Sequence, residues 1–138
     1  MERDFSVLLV KEYQYWSVYL HENQGYLGRC VIWCKRENAI DLPDATATEQ
    51  AELYLILKKV RSAVARAFGP DWFNYAFFGN ETPHLHCHFI PRYAHSRNFA
   101  GLAFEDHHWG HDYRTDPTFI TPQTVLAAIK AELIAKLG

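Results

Sequence analysis

The sequence lacks a long apolar segment and a secretory signal. Across its 138 residues no uninterrupted apolar run exceeds five residues, whereas a helix that spans a membrane needs about 20. The chain starts with the charged segment 1–4, and the apolar core of a signal peptide does not follow it. We therefore expect no membrane association and a cytoplasmic location.

The sequence also lacks an excess of either charge and lacks the cysteine spacing of a disulfide framework. Lys and Arg number 14 and Asp and Glu 16, so the formal net charge is −2. A protein dedicated to duplex nucleic acid normally carries an excess of Lys and Arg, so we expect no nucleic-acid partner. The three cysteines form an odd set without CxxC spacing, which favours reduced core thiols over a disulfide framework.

The sequence contains enough apolar material for a folded domain. Hydrophobic residues make up 49% of it and aromatic residues 15%, which argues against intrinsic disorder and against a disulfide-dependent miniprotein. No repeat, low-complexity tract or linker divides the chain. We predict a single domain over residues 1–138.

Four segments have the composition of β-strands. Residues 15–21 and 29–34 are aromatic and β-branched, and the turn residues between them predict an antiparallel pair. Residues 72–78 and 85–90 predict two more strands, which the short loop 79–83 joins. Strands that follow one another in this way are typical of an antiparallel sheet.

Two segments predict helices. In the first, Thr46 and Glu49 have the spacing of a capping box and Gly69 follows the last turn. Its apolar residues recur at helical spacing, at Leu53, Leu57, Val60, Val64 and Phe68. Thr121 predicts the N-cap of a terminal helix over residues 125–137. Strands combined with two helices in this order predict the α+β class.

Histidine is unevenly distributed, because seven of the eight histidines lie between residues 84 and 111. His84, His86 and His88 alternate with apolar residues. Since the side chains of a strand alternate between its two faces, the three imidazoles would share one face and the apolar residues would enter the core. A buried imidazole needs partners for two nitrogens, so three of them in alternation predict a functional row.

A metal site is one interpretation of this row. Two histidines that are two residues apart are separated by about 6.6 Å along a strand and can share a zinc ion. The outer pair, His84 and His88, is about 13 Å apart. The row also contains no carboxylate ligand, so the metal interpretation is the weaker one.

An extended anionic substrate is the other interpretation, with successive rings in contact with successive phosphate oxygens. His86 would attack phosphorus, because a neutral imidazole offers a lone pair near pH 7. Its neighbours would donate hydrogen bonds to the oxygens on which charge develops. A hydrogen bond from its other nitrogen to a backbone carbonyl would fix the reactive tautomer.

The segment His84–Ile90 resembles the signature of the histidine triad (HIT) family of nucleotide hydrolases and transferases, His-x-His-x-His followed by two apolar residues. The segment Pro91–Tyr93 looks like the family's usual continuation. Upstream, Gly28 and the apolar residues after it lie where the family has a Gly-His-apolar strand. The resemblance covers residues from about 15 to 93. It implies a HIT-like fold, with an antiparallel sheet, one long helix packed on it and a C-terminal helix.

By this resemblance the protein would be a hydrolase or a nucleotidyl transferase. His86 would form a nucleotidyl-histidine intermediate on the α-phosphate, His88 would contact the α-phosphate oxygens, and His84 would belong to the supporting hydrogen-bond chain. The substrate would be a dinucleoside polyphosphate, a nucleoside phosphoramidate or a related adenylylated compound. No metal or other cofactor would be required, magnesium would enter only with the substrate phosphates, and the family suggests a homodimer.

The resemblance also suggests substrate-binding positions. Asn80, after the strand that precedes the triad, corresponds to a polar position that contacts the phosphates. The first hairpin would face the ribose and the base, which places His21 and Asn23 near the sugar hydroxyls. Trp109 follows the triad in an aromatic segment, where it would either stack on a base or lie in a loop without ligand contact.

Two positions depart from the family pattern. Arg29 stands where the family has the histidine after glycine, and Glu37 replaces a further common histidine. Arg29 is always charged, so it would either bind a phosphate or be a solvated strand residue. Arg92 and Arg97 would either steer a polyanion or be solvated loop residues. The departures leave open a nucleotide-binding or sensing protein with little turnover, and a zinc-binding module that uses two triad histidines is a further alternative.

Overall fold

The computed structural model describes residues 5–138, which form a mixed α+β fold. Its strands in chain order are β1 (Leu9–Glu12), β2 (Trp16–Leu20), β3 (Cys30–Cys34), β4 (Trp72–Ala76), β5 (His86–Arg92), β6 (Arg97–Phe99) and β7 (Leu102–Phe104). The first five strands form an antiparallel sheet in the order β1-β2-β3-β5-β4. The last two form a separate hairpin.

The long helix α1 (Ala47–Phe68) begins and ends as the sequence predicts. The Thr46 hydroxyl accepts from the backbone N–H of Glu49 at 3.1 Å, and the Glu49 carboxylate accepts from the N–H of Thr46 at 2.8 Å. Gly69 follows the last turn with a φ of 61°, a left-handed conformation that a residue without a Cβ adopts at little cost.

The C-terminal helix α2 (Gln123–Leu137) packs against α1, but Thr121 is not its N-cap. The Thr121 hydroxyl accepts a hydrogen bond from the backbone N–H of Gln24 at 3.0 Å. Pro122 occupies the N-cap position without a side-chain hydrogen bond. The prediction was wrong because the Thr121 hydroxyl forms a tertiary hydrogen bond instead of capping the helix.

The central sheet has one face in the core and one face toward a cavity. Alternate residues of β3 are fully buried in the same cluster as residues of α1, namely Cys30, Ile32 and Cys34. Cys87 and Phe89 of β5 join that cluster. Because side chains alternate along a strand, His86 and His88 lie on the opposite face.

The predicted strands are present, with differences at their ends. β4 ends at Ala76 and does not reach Phe78. β5 continues through Pro91, because its pairing with β3 ends at Phe89 and a proline beyond that point interrupts no bond to β3. Neither β1 nor the hairpin of β6 and β7 is predicted, since strands of three or four residues are too short for a clear alternation.

Within residues 5–138 the structure also tests the expectations about membrane-spanning helices and about the cysteines. None of the helices there is long and apolar enough to cross a membrane. The three cysteines are free and buried, as expected. Burial raises the pKa of the Cys30 and Cys87 thiols to about 12, so they are inert at neutral pH. Two short 3₁₀ helices complete the fold, at Phe5–Leu8 and Leu42–Asp44.

Candidate active site

A cavity of about 790 Å³ lies on the histidine face of the sheet. His86 and His88 line it, next to Val31 and Trp33 of the neighbouring strand β3. Residues from the first 3₁₀ helix, from the end of β2 and from the loop after β4 form the walls, among them Phe5, Leu8, Tyr19, His21, Phe78 and Asn80. Aromatic walls with a few polar groups are typical of a small-molecule site.

His86 is held in one tautomer by the backbone. Its Nδ1 lies 2.6 Å from the carbonyl oxygen of His84, and since a carbonyl can only accept, Nδ1 carries the proton. In the neutral ring the lone pair is therefore on Nε2. The side chain is 7% exposed, and Nε2 is directed toward His88 in the cavity wall. This is the hydrogen bond to a backbone carbonyl that the sequence interpretation requires of a nucleophilic imidazole.

His88 presents a hydrogen-bond donor to Nε2 of His86. Its Nε2 lies 3.1 Å from Nε2 of His86, so the proton between them belongs to His88 when Nε2 of His86 is bare. Burial, the nearby His86 and the nearby Arg29 lower the pKa of His88 to about 4, and the ring is neutral at pH 7. Its Nδ1 is then an unprotonated acceptor, and it has no hydrogen-bond partner among the described residues.

His84 precedes β5 and supports the other two rings without lining the cavity. Its Nε2 donates to the carbonyl oxygen of Cys34 at 2.6 Å. Its ring stacks on Trp33 with centroids 4.1 Å apart, and the ring of His86 stacks on the same indole at 5.3 Å. His84 thus fixes the rotamer of its neighbour through its carbonyl group and through the shared indole.

Arg29 lies inside the cavity wall, so the expectation of a solvated strand residue was wrong. It is 3% exposed, and burial lowers the pKa of its guanidinium. Its Nη1 donates to the Thr115 hydroxyl at 2.8 Å, and its Cζ lies 5.3 Å from the centre of the Tyr113 ring. Its Nε has no partner among the described residues.

The structure brings together some of the other predicted substrate contacts and separates others. His21 and Asn80 line the cavity. Asn23 does not, because its side-chain amide donates to the carbonyl of Asp116 at 2.8 Å and its side-chain oxygen accepts from the N–H of the next glycine. Trp109 is 43% exposed and lies outside the cavity lining.

Residues 113–116, which we call the strap, close one side of the cavity, and the sequence does not identify them. The Tyr26 hydroxyl donates to the carbonyl of Arg114 at 3.1 Å and accepts from its N–H at 2.9 Å. This pair of bonds places Tyr113 and Thr115 in the cavity wall. The segment has no periodicity, and its anchors are about ninety residues away in the chain, so local sequence gives no signal for its position.

Arg92 is neither a steering residue nor a solvated one, so both expectations for it were wrong. It is 4% exposed and its Nε lies 2.7 Å from Oδ2 of Asp106. Its other nitrogens donate to Asn74 and to the carbonyls of His108 and His111. Arg92 therefore holds the loop that follows β7. Arg97 donates to a backbone carbonyl and forms an ion pair with Asp71 at 3.5 Å.

Metal ligands are sparse around the triad. Within residues 5–138 no group of three or more His, Cys, Asp or Glu side chains is arranged to hold a metal ion. His86 and His88 lie close enough to each other to share a metal ion, but in the structure their Nε2 atoms form a hydrogen bond.

Solved structures have the same fold. A histidine triad protein from Bradyrhizobium japonicum, blr8122, is 20% identical, with a TM-score of 0.74 over 94% of this chain and 90% of its own. A histidine triad protein from Marinobacter aquaeolei VT8 is 21% identical, with a TM-score of 0.72 over 94% and 90%. A zinc-bound histidine triad family protein from Mycobacterium smegmatis is 19% identical, with a TM-score of 0.58 over 93% and 84%.

The sequence itself gives the family. No curated protein matches it. The model of the HIT domain, however, matches residues 9–95, which include the triad, the strands on both sides of it and the long helix. The match covers more than half of the chain. The chain therefore belongs to the HIT domain family.

Proposed function

We propose that this protein is a hydrolase or nucleotidyl transferase that cleaves at the α-phosphate of a nucleotide through a covalent intermediate on His86. Membership of the HIT family supports nucleotide binding and hydrolase or transferase activity in general, without a required cofactor. The observation that carries the specific proposal is the bond from Nδ1 of His86 to the carbonyl of His84, which leaves Nε2 as a nucleophile in the cavity wall.

The first step exchanges one hydrogen bond for another. In the structure Nε2 of His88 lies 3.1 Å from Nε2 of His86, and with the His86 tautomer that the His84 carbonyl selects, the proton between them is on His88. A phosphoryl oxygen at that position would accept the hydrogen bond from His88 and free the lone pair of His86. Nε2 of His86 would then form a bond to phosphorus while the bond from phosphorus to the leaving group breaks. His88 would stabilise the charge on the non-bridging oxygen as a neutral donor.

The second step returns the enzyme to its starting state. Water would attack the phosphorus of the nucleotidyl-His86, the bond from nitrogen to phosphorus would break, a nucleoside monophosphate would leave, and the proton displaced from the water would pass to solvent. A different acceptor in place of water would make the protein a transferase. The hydrogen bond between Nδ1 of His86 and the carbonyl of His84 would persist through both steps and would disperse the charge of the intermediate.

The remaining roles are proposed from position. His21, Arg29 and Asn80 line the cavity and would contact the nucleotide. The exposed aromatic residues of the edge strand β4, Trp72 and Tyr75, support a homodimer that covers this edge. By the family resemblance, Asn23 would lie near the sugar hydroxyls and Trp109 would stack on a base. The substrate classes remain dinucleoside polyphosphates, nucleoside phosphoramidates and related adenylylated compounds, with magnesium entering on the phosphates where it is present.

Turnover of one compound from each class, by the wild type and by His86→Ala, tests the proposal. We expect hydrolysis of at least one compound and a loss of about 10⁴-fold or more in His86→Ala, because the nucleophile is gone. His95→Ala is the matched control, since His95 is exposed and lies outside the cavity, and its rate should stay within about twofold. Equal rates in His86→Ala and the wild type would contradict the mechanism. Binding without turnover would identify a nucleotide-binding protein.

A further inference from the structure

We infer that the guanidinium of Arg29 is the fixed positive charge for the phosphoryl group that binds at His86 and His88. The inference rests on the proposed function for the position of the phosphoryl group. It adds a specificity-determining residue at a position where the family pattern has a histidine. The ligand class it assigns is a phosphate ester or anhydride with a negative charge on its non-bridging oxygens.

The first argument is the missing counter-ion. A buried charge is retained in proteins when a partner of opposite sign compensates it. Among the described residues no carboxylate forms an ion pair with Arg29, and its one side-chain hydrogen bond goes to the neutral hydroxyl of Thr115. Nε is buried and has no partner there. The guanidinium thus keeps both an unused donor and an uncompensated charge.

The second argument is the position of Arg29 directly before β3. Trp33 pairs with His86 and Val31 pairs with His88, and Arg29 is the next residue on that face of the chain. All of these residues line the cavity. Arg29 also lies close enough to His88 to lower the pKa of that ring, so its field reaches the donor nitrogen. A phosphoryl group at the two histidines would lie within the same field.

The third argument is that the surroundings hold Arg29 in place. Thr115 accepts from Nη1, and the Tyr113 ring packs 5.3 Å from Cζ. Both residues belong to the strap, which Tyr26 anchors. The guanidinium is therefore positioned before the ligand arrives, and little conformational freedom is lost on binding. A neutral histidine at this position would offer no permanent charge.

The consequence is a measurable preference for the phosphate over the nucleoside. The probes are the four nucleoside 5′-monophosphates and their four nucleosides, with affinities measured by calorimetry on the full chain. For the best pair we expect the wild type to bind the monophosphate at least about 100-fold more tightly than the nucleoside. In Arg29→Met this preference should fall about 10- to 100-fold, the range for a charge-assisted hydrogen bond. Nucleoside affinity should stay within about threefold, which also shows that the variant is folded.

Matched variants separate charge from structure. Arg29→Lys keeps a cation and should recover part of the preference. Arg97→Met removes a partly exposed arginine outside the cavity and should leave the preference unchanged. An equal preference in Arg29→Met and the wild type, or no binding of any monophosphate by the wild type, would overturn the inference.

The test also separates this inference from the proposed mechanism. His86→Ala keeps Arg29 and His88, so its phosphate preference should survive even though turnover is lost. If hydrolysis proves independent of His86 while Arg29→Met still loses the preference, the mechanism fails and the inference stands. If His86 is the nucleophile and Arg29→Met keeps the full preference, the mechanism stands and the inference fails.

Discussion

Two arginines are buried within residues 5–138, and they lie in opposite electrostatic settings. Arg29 is 3% exposed and Arg92 is 4% exposed. Arg92 is bound through two of its nitrogens to the carboxylate of Asp106, at 2.7 and 3.2 Å, and two backbone carbonyls and Asn74 accept its remaining protons. The side chain of Arg29 makes a single hydrogen bond to the described residues, to Thr115, and its Nε has no partner among them.

The difference shows which of the two buried charges stabilises the fold. Taking a charge out of water costs several kcal/mol unless an opposite charge and hydrogen bonds offset it. At Arg92 the offset comes from Asp106 and the loop after β7, so the arginine stabilises the fold. At Arg29 no such offset is present among the described residues. Its charge faces the cavity and is left for a ligand.

Removal of Arg92 should produce the largest change in stability. Arg92→Met leaves Asp106 buried without its partner, and we expect the free energy of unfolding to fall by about 3–5 kcal/mol. Urea denaturation measures this loss. The double variant with Asp106→Leu removes both charges and should recover part of it. A cost below about 1 kcal/mol for Arg92→Met would contradict the structural role assigned here.

The pH dependence of stability should report the environment next to Arg29. The folded-state pKa of His88 is about 4, below its ordinary value of 6.5, so the unfolded chain binds this proton more readily. The stability contribution is therefore complete above pH 6.5 and is lost as the pH falls to about 4. We expect a loss of about 1–2 kcal/mol, after allowance for the part of the ring that solvent screens.

The matched variant for this prediction is His88→Gln, in which the loss between pH 6.5 and 4 should be absent. NMR titration gives the pKa of His88 directly. Arg29→Met should raise it, because a nearby positive charge is removed, and Arg97→Met should not change it. A His88 pKa near 6.5 in the wild type would contradict the burial described for the ring.

Tyr26 connects the two arginines, and its removal should have a smaller effect. The Arg92 guanidinium lies 5.4 Å from the centre of the Tyr26 ring, while the hydroxyl of the same residue holds the strap through Arg114. Tyr26→Phe keeps the ring and removes the hydroxyl, so we expect a loss of about 0.5–1.5 kcal/mol. Hydrogen exchange of the Arg114 amide should accelerate more than exchange in the strands of the sheet. Unchanged exchange there would contradict the anchoring role.

Removal of Arg29 should change stability least, and in the opposite direction to the removal of Arg92. Arg29→Met replaces an uncompensated buried charge with an apolar side chain of similar length. We expect the free energy of unfolding to stay the same or to rise by up to about 1 kcal/mol. Urea denaturation without ligand measures the change. A loss of more than about 2 kcal/mol would show that the fold itself depends on Arg29 and would remove the contrast with Arg92.

The sequence predicts the geometry of the histidine row in large part, because its signal is local. Alternation places His86 and His88 on the face toward the cavity, whereas His84 precedes β5 and does not line the cavity. The carbonyl that fixes His86 comes from two residues earlier in the chain. The capping box of α1 is equally local, and it is confirmed. In both cases the residues that form the feature are within a few positions of one another.

Features that depend on partners far away in the chain cannot be predicted from local sequence patterns. Arg92 finds Asp106 across β6 and β7, and nothing in the local pattern of either residue indicates the ion pair. Thr121 has the local chemistry of an N-cap, but Gln24 takes its hydroxyl. The strap reaches the cavity only because Tyr26 holds it from the other end of the chain. Such contacts are set by the tertiary fold, which a local pattern does not specify.

The covalent state of His86 during turnover is the most direct test of the central claim. A labelled nucleotide substrate is mixed with the wild-type protein, the reaction is stopped by rapid quench at several times, and the peptide that contains His86 is analysed by mass spectrometry. The account predicts an acid-labile nucleotidyl adduct on His86 that forms and decays with product release and is absent in His86→Ala. Hydrolysis by the wild type without a labelled His86 at any quench time would contradict it.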